Sequence, residues 1–228
     1  MKFFFKITKI LVVLKSNIIK KKAKKKFQNR KKIFKKYLET KFLEKKWFLN
    51  NFDIFNFFLP KNLKKKFNYL EIGSYEGLSL LNVKYFYKNS YTIAIDLWSK
   101  PNFNSENINL DLKKAERNFD KNLYGFKKTI KKKGDSVIEI RKLIQKNFFF
   151  DFIYVDGSHN GEDVIIDAIE CFKILKVNGI MILDDAMVIE DKKKKYQTYE
   201  GVITFLKMFK KEIKILYLKN IIVIKKIN

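Results

Sequence analysis

Beyond Pro60 the chain alternates short, largely apolar runs with amphipathic segments, and it closes on two largely apolar runs separated only by Lys219 and Asn220. Runs with few polar positions belong to strands buried on both faces. Interleaved with helical segments, they mark a parallel sheet covered by helices. Strands are expected at Tyr69–Ile72, Tyr91–Ile95, Phe126–Ile130, Phe152–Val155, Ile180–Leu183, Ile213–Leu218 and Ile221–Ile224. Helices are expected at Glu76–Tyr87, Glu106–Lys121, Ser136–Lys146, Gly161–Leu175 and Tyr199–Lys210. A two-residue link cannot carry a parallel crossover, so the last two strands form an antiparallel hairpin at one edge. The expected fold class is α/β: a Rossmann-like, seven-stranded, mostly parallel sheet with a C-terminal antiparallel hairpin and helices on both faces.

Residues 1–66 read differently, as a lysine-rich helical extension, either a lid or a peripheral membrane-contact segment, preceding a domain over residues 67–228. Ile7, Ile10, Leu11, Leu14 and Ile18 fall on one helical face, with Lys9, Lys15 and Lys20 to Lys22 elsewhere. Such a basic amphipathic helix can pack on its own domain, with packing the favoured reading, or lie on an anionic membrane. Phe34, Leu38, Phe42 and Trp47 add a docking face at near-helical spacing. Lys6 and Lys9 interrupt the apolar start and a lysine cluster follows it, which suits a secretion signal poorly. No run of about 20 apolar residues is present to span a bilayer. Cys171 is the single cysteine, so no internal disulfide can form, which fits a reducing compartment. The expected location is cytoplasmic, with peripheral membrane contact left open.

The net charge of +26 invites a nucleic-acid reading. Only Arg30, Arg117 and Arg141 are arginines, however, and readers of phosphates and base edges favour the arginine fork. Lysine shares AT-rich codons with the abundant Asn, Ile and Phe, so solvated lysine without a cognate polyanion is the favoured account.

Open α/β sheets bind ligands beyond the carboxyl ends of their strands. In this basic chain those ends carry Glu71 to Gly73, Asp96, Asp135 with Ser136, Asp156, and Asp184 with Asp185. Gly73 does not open a dinucleotide fingerprint, because Tyr75 and Leu78 stand where the second and third glycines belong. The turn can still present backbone N–H groups to a smaller anion, or be a plain tight corner. Asp96 can accept both hydroxyls of a ribose or cap the next segment. Ser136 can cap the next helix, and either Asp135 or Ser136 can reach an adenine amino group. Asp156, Asp184 and Asp185 end neighbouring strands about 4.8 Å apart, and carboxylates so close need a cation or protons to coexist. An all-oxygen set points to Mg²⁺; the alternative is helix capping by Asp185 and a solvated Asp156. His159, the one histidine, follows Asp156 by three residues and is either a general base or a positioning group.

Taken together, "EIGSYEGLS", "AIDLWS", "GDS", "YVDGSHNGEDVIIDA", "GIMILDDA" and "YEGV" resemble, in their order, class I S-adenosylmethionine-dependent methyltransferases. The likeness is to the small-molecule O-methyltransferase branch of macrolide-sugar and catechol enzymes, over roughly residues 67–226. It implies S-adenosylmethionine as cofactor, with Glu71, Gly73, Ser74, Tyr75 and Gly77 around its methionine end. Asp96 and Leu97 would face the ribose, Asp135 and Ser136 the adenine, and Asp156 would border the same pocket. It implies Mg²⁺ on Asp156, Asp184 and Asp185, and His159 beside Asp156 as the catalytic base. The implied partner is a small-molecule hydroxyl, of a sugar or natural product, and nucleic acid is disfavoured. Gly161, the Val177–Gly179 stretch and Ala186 depart from the branch's usual Tyr, Pro-Gly-Gly and aromatic. Two rivals stand beside this reading. A nucleic-acid methyltransferase lacks support because "DGSH" replaces the Asn/Asp-Pro-Pro-aromatic motif and Cys171 lies mid-helix. A binding protein, catalytically inactive or membrane-associated, would not need intact acids at the strand ends.

Overall fold

The computed structural model describes residues 2–99, 110–186 and 197–228, with side chains from Leu11 onward. It opens with α1 (Lys2–Leu38), a 3-10 turn (Trp47–Asn50) and α2 (Phe52–Phe58). The alternating part follows as β1 (Asn68–Ile72), α3 (Leu78–Phe86), β2 (Tyr91–Asp96), α4 (Leu112–Leu123), β3 (Thr129–Lys133), α5 (Ser136–Gln145), β4 (Phe150–Val155), α6 (Gly161–Ile174), β5 (Leu175–Leu183), α7 (Thr198–Met208), β6 (Ile213–Leu218) and β7 (Ile222–Lys226). The strands form one seven-stranded sheet in the order β3-β2-β1-β4-β5-β7-β6. The first five are parallel, while β7 runs antiparallel to both β5 and β6. The expected fold class is therefore the observed one, hairpin included.

Alternate strand residues feed two cores, as the period of two requires. Tyr69, Ala94, Phe152, Tyr154 and Ile182 face α1 to α4, whereas Leu70, Ile93, Ile153, Met181 and Ile224 face α5 to α7. The third strand, Thr129–Lys133, begins three residues beyond the expected Phe126–Ile130. At the sheet's edge Lys131 pairs with Glu116 and Asp120 and Lys132 with Glu139, so carboxylates on the flanking helices replace apolar cover. The expected start of the fourth helix, at 106–109, lies outside the described residues.

The N-terminal segment shares the first core. Phe34 and Phe52 stack at 5.5 Å, and Phe55 meets Phe152 and Tyr154 edge-on. Of the face expected to pack, Leu11, Leu14 and Ile18 are exposed, and the side chains of Ile7 and Ile10 lie outside the described residues. The helix docks instead by its opposite face, through Ser16, Ala23, Phe27, Phe34 and Leu38. Ser16 accepts the Leu218 N–H at 2.9 Å, satisfying a donor next to the β6 bulge. Past the helix, the Asn122 side chain brackets the Phe42 backbone with two bonds of 2.8 Å. The Glu76 carboxylate accepts the N–H groups of Glu44 and Lys45 and the amide of Asn118.

Gly161 and Gly201 explain one departure from the branch pattern. A Cβ on Gly201 would lie 2.2 Å from the Gly161 carbonyl, and one on Gly161 2.4 Å from that of Gln197. The starts of α6 and α7 touch backbone to backbone, which excludes a tyrosine at 161. Gly201→Ala, harmless to helix geometry, should therefore destabilise the protein by about 1–3 kcal/mol through overpacking. Urea unfolding checks this, and a midpoint equal to wild type would contradict the close approach.

Candidate active site

The carboxyl ends of β2, β1, β4 and β5 lie side by side at one rim of the sheet. Gly73 leaves β1 with φ +81°, and a Cβ there would sit 2.0 Å from the Asp156 carbonyl. Only glycine permits that approach and that conformation together. The turn is tied by Gly73 N–H to Ile95 O at 2.9 Å and by Gly77 N–H to Ser74 O at 2.7 Å. Asp96 accepts the backbone N–H groups of Tyr75 and Trp98, both at 2.8 Å. Tyr75 and Trp98 both hold positive φ, and the Trp98 indole donates to Tyr75 O. Two left-handed residues gripping one carboxylate make a rigid corner at which Leu97 is exposed.

Glu71 lies beneath the turn, fully buried and hydrogen-bonded by Tyr69 and Ser79. Burial pushes its carboxyl up to about 8 against the opposing hydrogen bonds of Ser79 and Tyr69. Burial likewise raises Asp96, opposed by the N–H groups of Trp98 and Tyr75. The hydroxyls of Ser74 and Tyr75 are buried and make no hydrogen bond among the described residues. Unmet polar atoms of this kind in a turn fit a polar ligand end, such as an amino-acid moiety.

At the next strand end Asp135 caps α5 by accepting the Ile138 N–H at 3.0 Å. Capping thus falls to Asp135 and not to Ser136, whose hydroxyl donates to Asp167 at 2.6 Å. Asp167 escaped the sequence reading because it sits mid-helix within "VIIDAIE", where spacing marks only an apolar face. Burial raises its carboxyl to about 7, opposed by the Ser136 hydrogen bond.

Asp156, His159 and Asp185 each bring one ligand atom within 4.8 Å of the others, and all three remain partly accessible. His159 Nε2 lies 3.3 Å from Asp185. Its loop is pinned by Thr198 Oγ1 to His159 O at 2.8 Å and by Asn160 capping α6. Asp184, expected as a metal ligand beside Asp156 and Asp185, turns elsewhere. It is buried, and its carboxylate takes the Tyr154 hydroxyl and the Asn51 amide at 2.8 and 2.9 Å. Asp185 holds φ +44°, and its backbone N–H donates to the Asp184 carboxylate at 2.8 Å. The groups that come within reach of one another here are two carboxylates and an imidazole. Burial raises Asp156 well above the carboxylate range, reinforced by Asp184, Asp185 and Glu71. A cation would relieve that repulsion.

Ala186, fully buried in the second core, leaves no room for the aromatic of related sequences. Over the cleft, Trp47 is 51% exposed and its ring lies 5.6 Å from that of Tyr75. Sequence spacing offered no sign of this pairing.

The family model described as a methyltransferase domain matches residues 70–186. No curated protein matches the chain in sequence. Solved structures share the fold at low identity. A putative caffeoyl-CoA O-methyltransferase from Staphylococcus aureus is 12% identical, with a TM-score of 0.56 over 92% of this chain and 99% of that one. The O-methyltransferase TomG from Streptomyces achromogenes, in complex with SAM, is 13% identical with a TM-score of 0.55 over 71% and 73%. The MycE methyltransferase of mycinamycin biosynthesis, in complex with Mg, SAH and mycinamycin VI, is 18% identical with a TM-score of 0.57 over 87% of this chain and 54% of that one.

The buried acids give the site a pH signature. Glu71 and Asp167 hold protons up to about 8 and about 7, against usual values of 4.5 and 3.8. Both carry a proton when folded that the unfolded chain has lost, so their stabilisation is full at low pH and drains as pH rises toward 8. Lys84, lowered by burial to about 8, adds an opposite slope only above that pH. Metal-free protein should therefore melt lower at pH 8 than at pH 5. The shift is about 2–4 °C per kcal/mol for a chain of this size. Glu71→Gln should flatten the difference, and an unchanged slope would show that Glu71 ionises freely.

Proposed function

Since the chain belongs to the methyltransferase-domain family, we propose that it transfers the methyl group of S-adenosylmethionine to a hydroxyl of a small molecule, with help from a divalent cation. The observation that carries this reading is the convergence of Asp156, His159 and Asp185 on the cleft shared with the Gly73 turn. A cofactor turn and an acid–imidazole cluster then flank one reacting point.

S-adenosylmethionine, when bound, supplies a methyl group on an electron-poor sulfonium. Ser74 and Tyr75, whose buried hydroxyls make no hydrogen bond among the described residues, would face its amino-acid end, and Glu71, Gly73 and Gly77 shape that turn. Asp96 and Leu97 border the ribose, and the Asp135–Ser136 corner borders the adenine. The chain's task is largely positional, because oxygen, carbon and sulfur must lie in line. Asp156 and Asp185 would hold a divalent cation, which would supply a lowered pKa to an acceptor hydroxyl. Asp184 braces this rim through Tyr154 and Asn51. His159 accepts the hydroxyl proton, and Asp185 at 3.3 Å stabilises the resulting imidazolium. The N-terminal extension acts as the lid, with Trp47 as an aromatic wall beside Tyr75. A sugar or natural-product hydroxyl is the favoured acceptor class, in keeping with the mycinamycin bound by MycE.

Titration calorimetry with S-adenosylmethionine comes first: no heat up to millimolar ligand would sink the methyl-transfer reading. With a model phenol or sugar acceptor, His159→Ala should cut turnover by roughly 10²–10⁴-fold. Asp185→Asn should remove stimulation by divalent cations, and Asp184→Asn should weaken it less. Full activity in chelator would remove the cation from the scheme while leaving methyl transfer intact.

A further inference from the structure

We propose that the outward face of α1 seats the protein on an anionic lipid bilayer. This is independent of the chemistry in the cleft. The inner face of α1 is fully used, through Ser16, Ala23, Phe27, Phe34 and Leu38 and the Leu218–Ser16 bond. Directly opposite, Leu11, Leu14 and Ile18 form one row at i, i+3 and i+7, exposed by 51%, 55% and 54%. Single exposed apolar residues are ordinary on a protein surface, but an aligned row of half-exposed ones along one helix face is not.

The row continues toward the C-terminal end of α1 as lysine. Lys22, Lys25, Lys32 and Lys36 follow along the same line, all exposed, with Lys15 and Lys21 beside it. From Met1 to Leu38 the sequence holds fourteen lysines and Arg30 and no acidic residue. Among the described side chains of the helix, Lys31 alone has a carboxylate partner, Asp53 at 3.3 Å. An apolar row flanked by long cationic side chains fits the boundary between headgroups and acyl chains. The row enters the boundary while lysine stems lie along it and their ammonium groups reach lipid phosphate.

Other occupants fit less well. Nucleic acid would leave the three apolar side chains without a role. The helix's one arginine, moreover, is not offered to a phosphate, because Arg30 stacks at 3.9 Å on Phe86. A second copy would bring two acid-free lysine helices together, and like charge opposes that contact.

The test is co-sedimentation of the full chain with vesicles of phosphatidylcholine alone or mixed with phosphatidylglycerol. Two triple variants accompany wild type: Leu11→Gln/Leu14→Gln/Ile18→Gln and Lys22→Gln/Lys25→Gln/Lys32→Gln. All six side chains are exposed, so unchanged thermal melting should certify both folds. Wild type should partition onto the anionic vesicles, less so in high salt, and each variant should lose roughly tenfold or more in partitioning. Absence of wild-type binding to anionic vesicles overturns the proposal. So does binding that survives intact in the apolar variant, which would reduce it to unspecific charge adhesion. Tighter association with duplex RNA than with vesicles would replace the membrane with nucleic acid, and concentration-dependent dimers lost in the apolar variant would replace it with a second copy.

Discussion

Backbone contact between Gly73 and Asp156 is the constraint on which the cleft depends. With 2.0 Å between a would-be Cβ and the Asp156 carbonyl, no side chain can stand there. The turn after β1 and the end of β4 are thus pressed into one wall. Gly73 N–H bonds to Ile95 O, and Asp156 N–H to Ile72 O, so the three strand ends are locked in register. The polar turn after β1 and the acid cluster at the end of β4 cannot move apart.

Concentrating buried carboxylates at that wall is costly in a folded protein, since each prefers its neutral form there. Two devices limit the cost. Tyr154 and Asn51 satisfy Asp184, and Tyr69 and Ser79 satisfy Glu71. Asp156, Asp185 and His159 are left accessible and close together, which is where a cation or a proton has most to gain. The N-terminal extension takes part, because Asn51 belongs to it and Glu76 clasps residues 44 and 45 beside the turn. Its other surface carries the lysine charge, turned away from the cleft residues it helps to hold.

Much of this was legible in the chain. Largely apolar runs predict the buried strands, the Lys219–Asn220 link predicts the hairpin, and acids recur at nearly every strand end. The third strand was misplaced because an edge strand needs no apolar cover on both sides when Glu116, Asp120 and Glu139 meet its lysines. Asp167 was hidden because one acid on an apolar helix face does not disturb the period.

Local spacing settles which residues reach the carboxyl rim, since strand period and link length are properties of neighbouring residues. It does not settle which of them meet. Asp184 and Asp185 are adjacent in the chain, yet one is claimed by Asn51, 133 positions away, and the other approaches His159. The same holds for α1, whose two faces both read as apolar rows. The side that met the sheet edge was chosen by Ser16 answering the Leu218 N–H and by aromatic packing around Phe34. Long-range partners compete for each polar group and each face, and only the assembled structure shows which partner prevails.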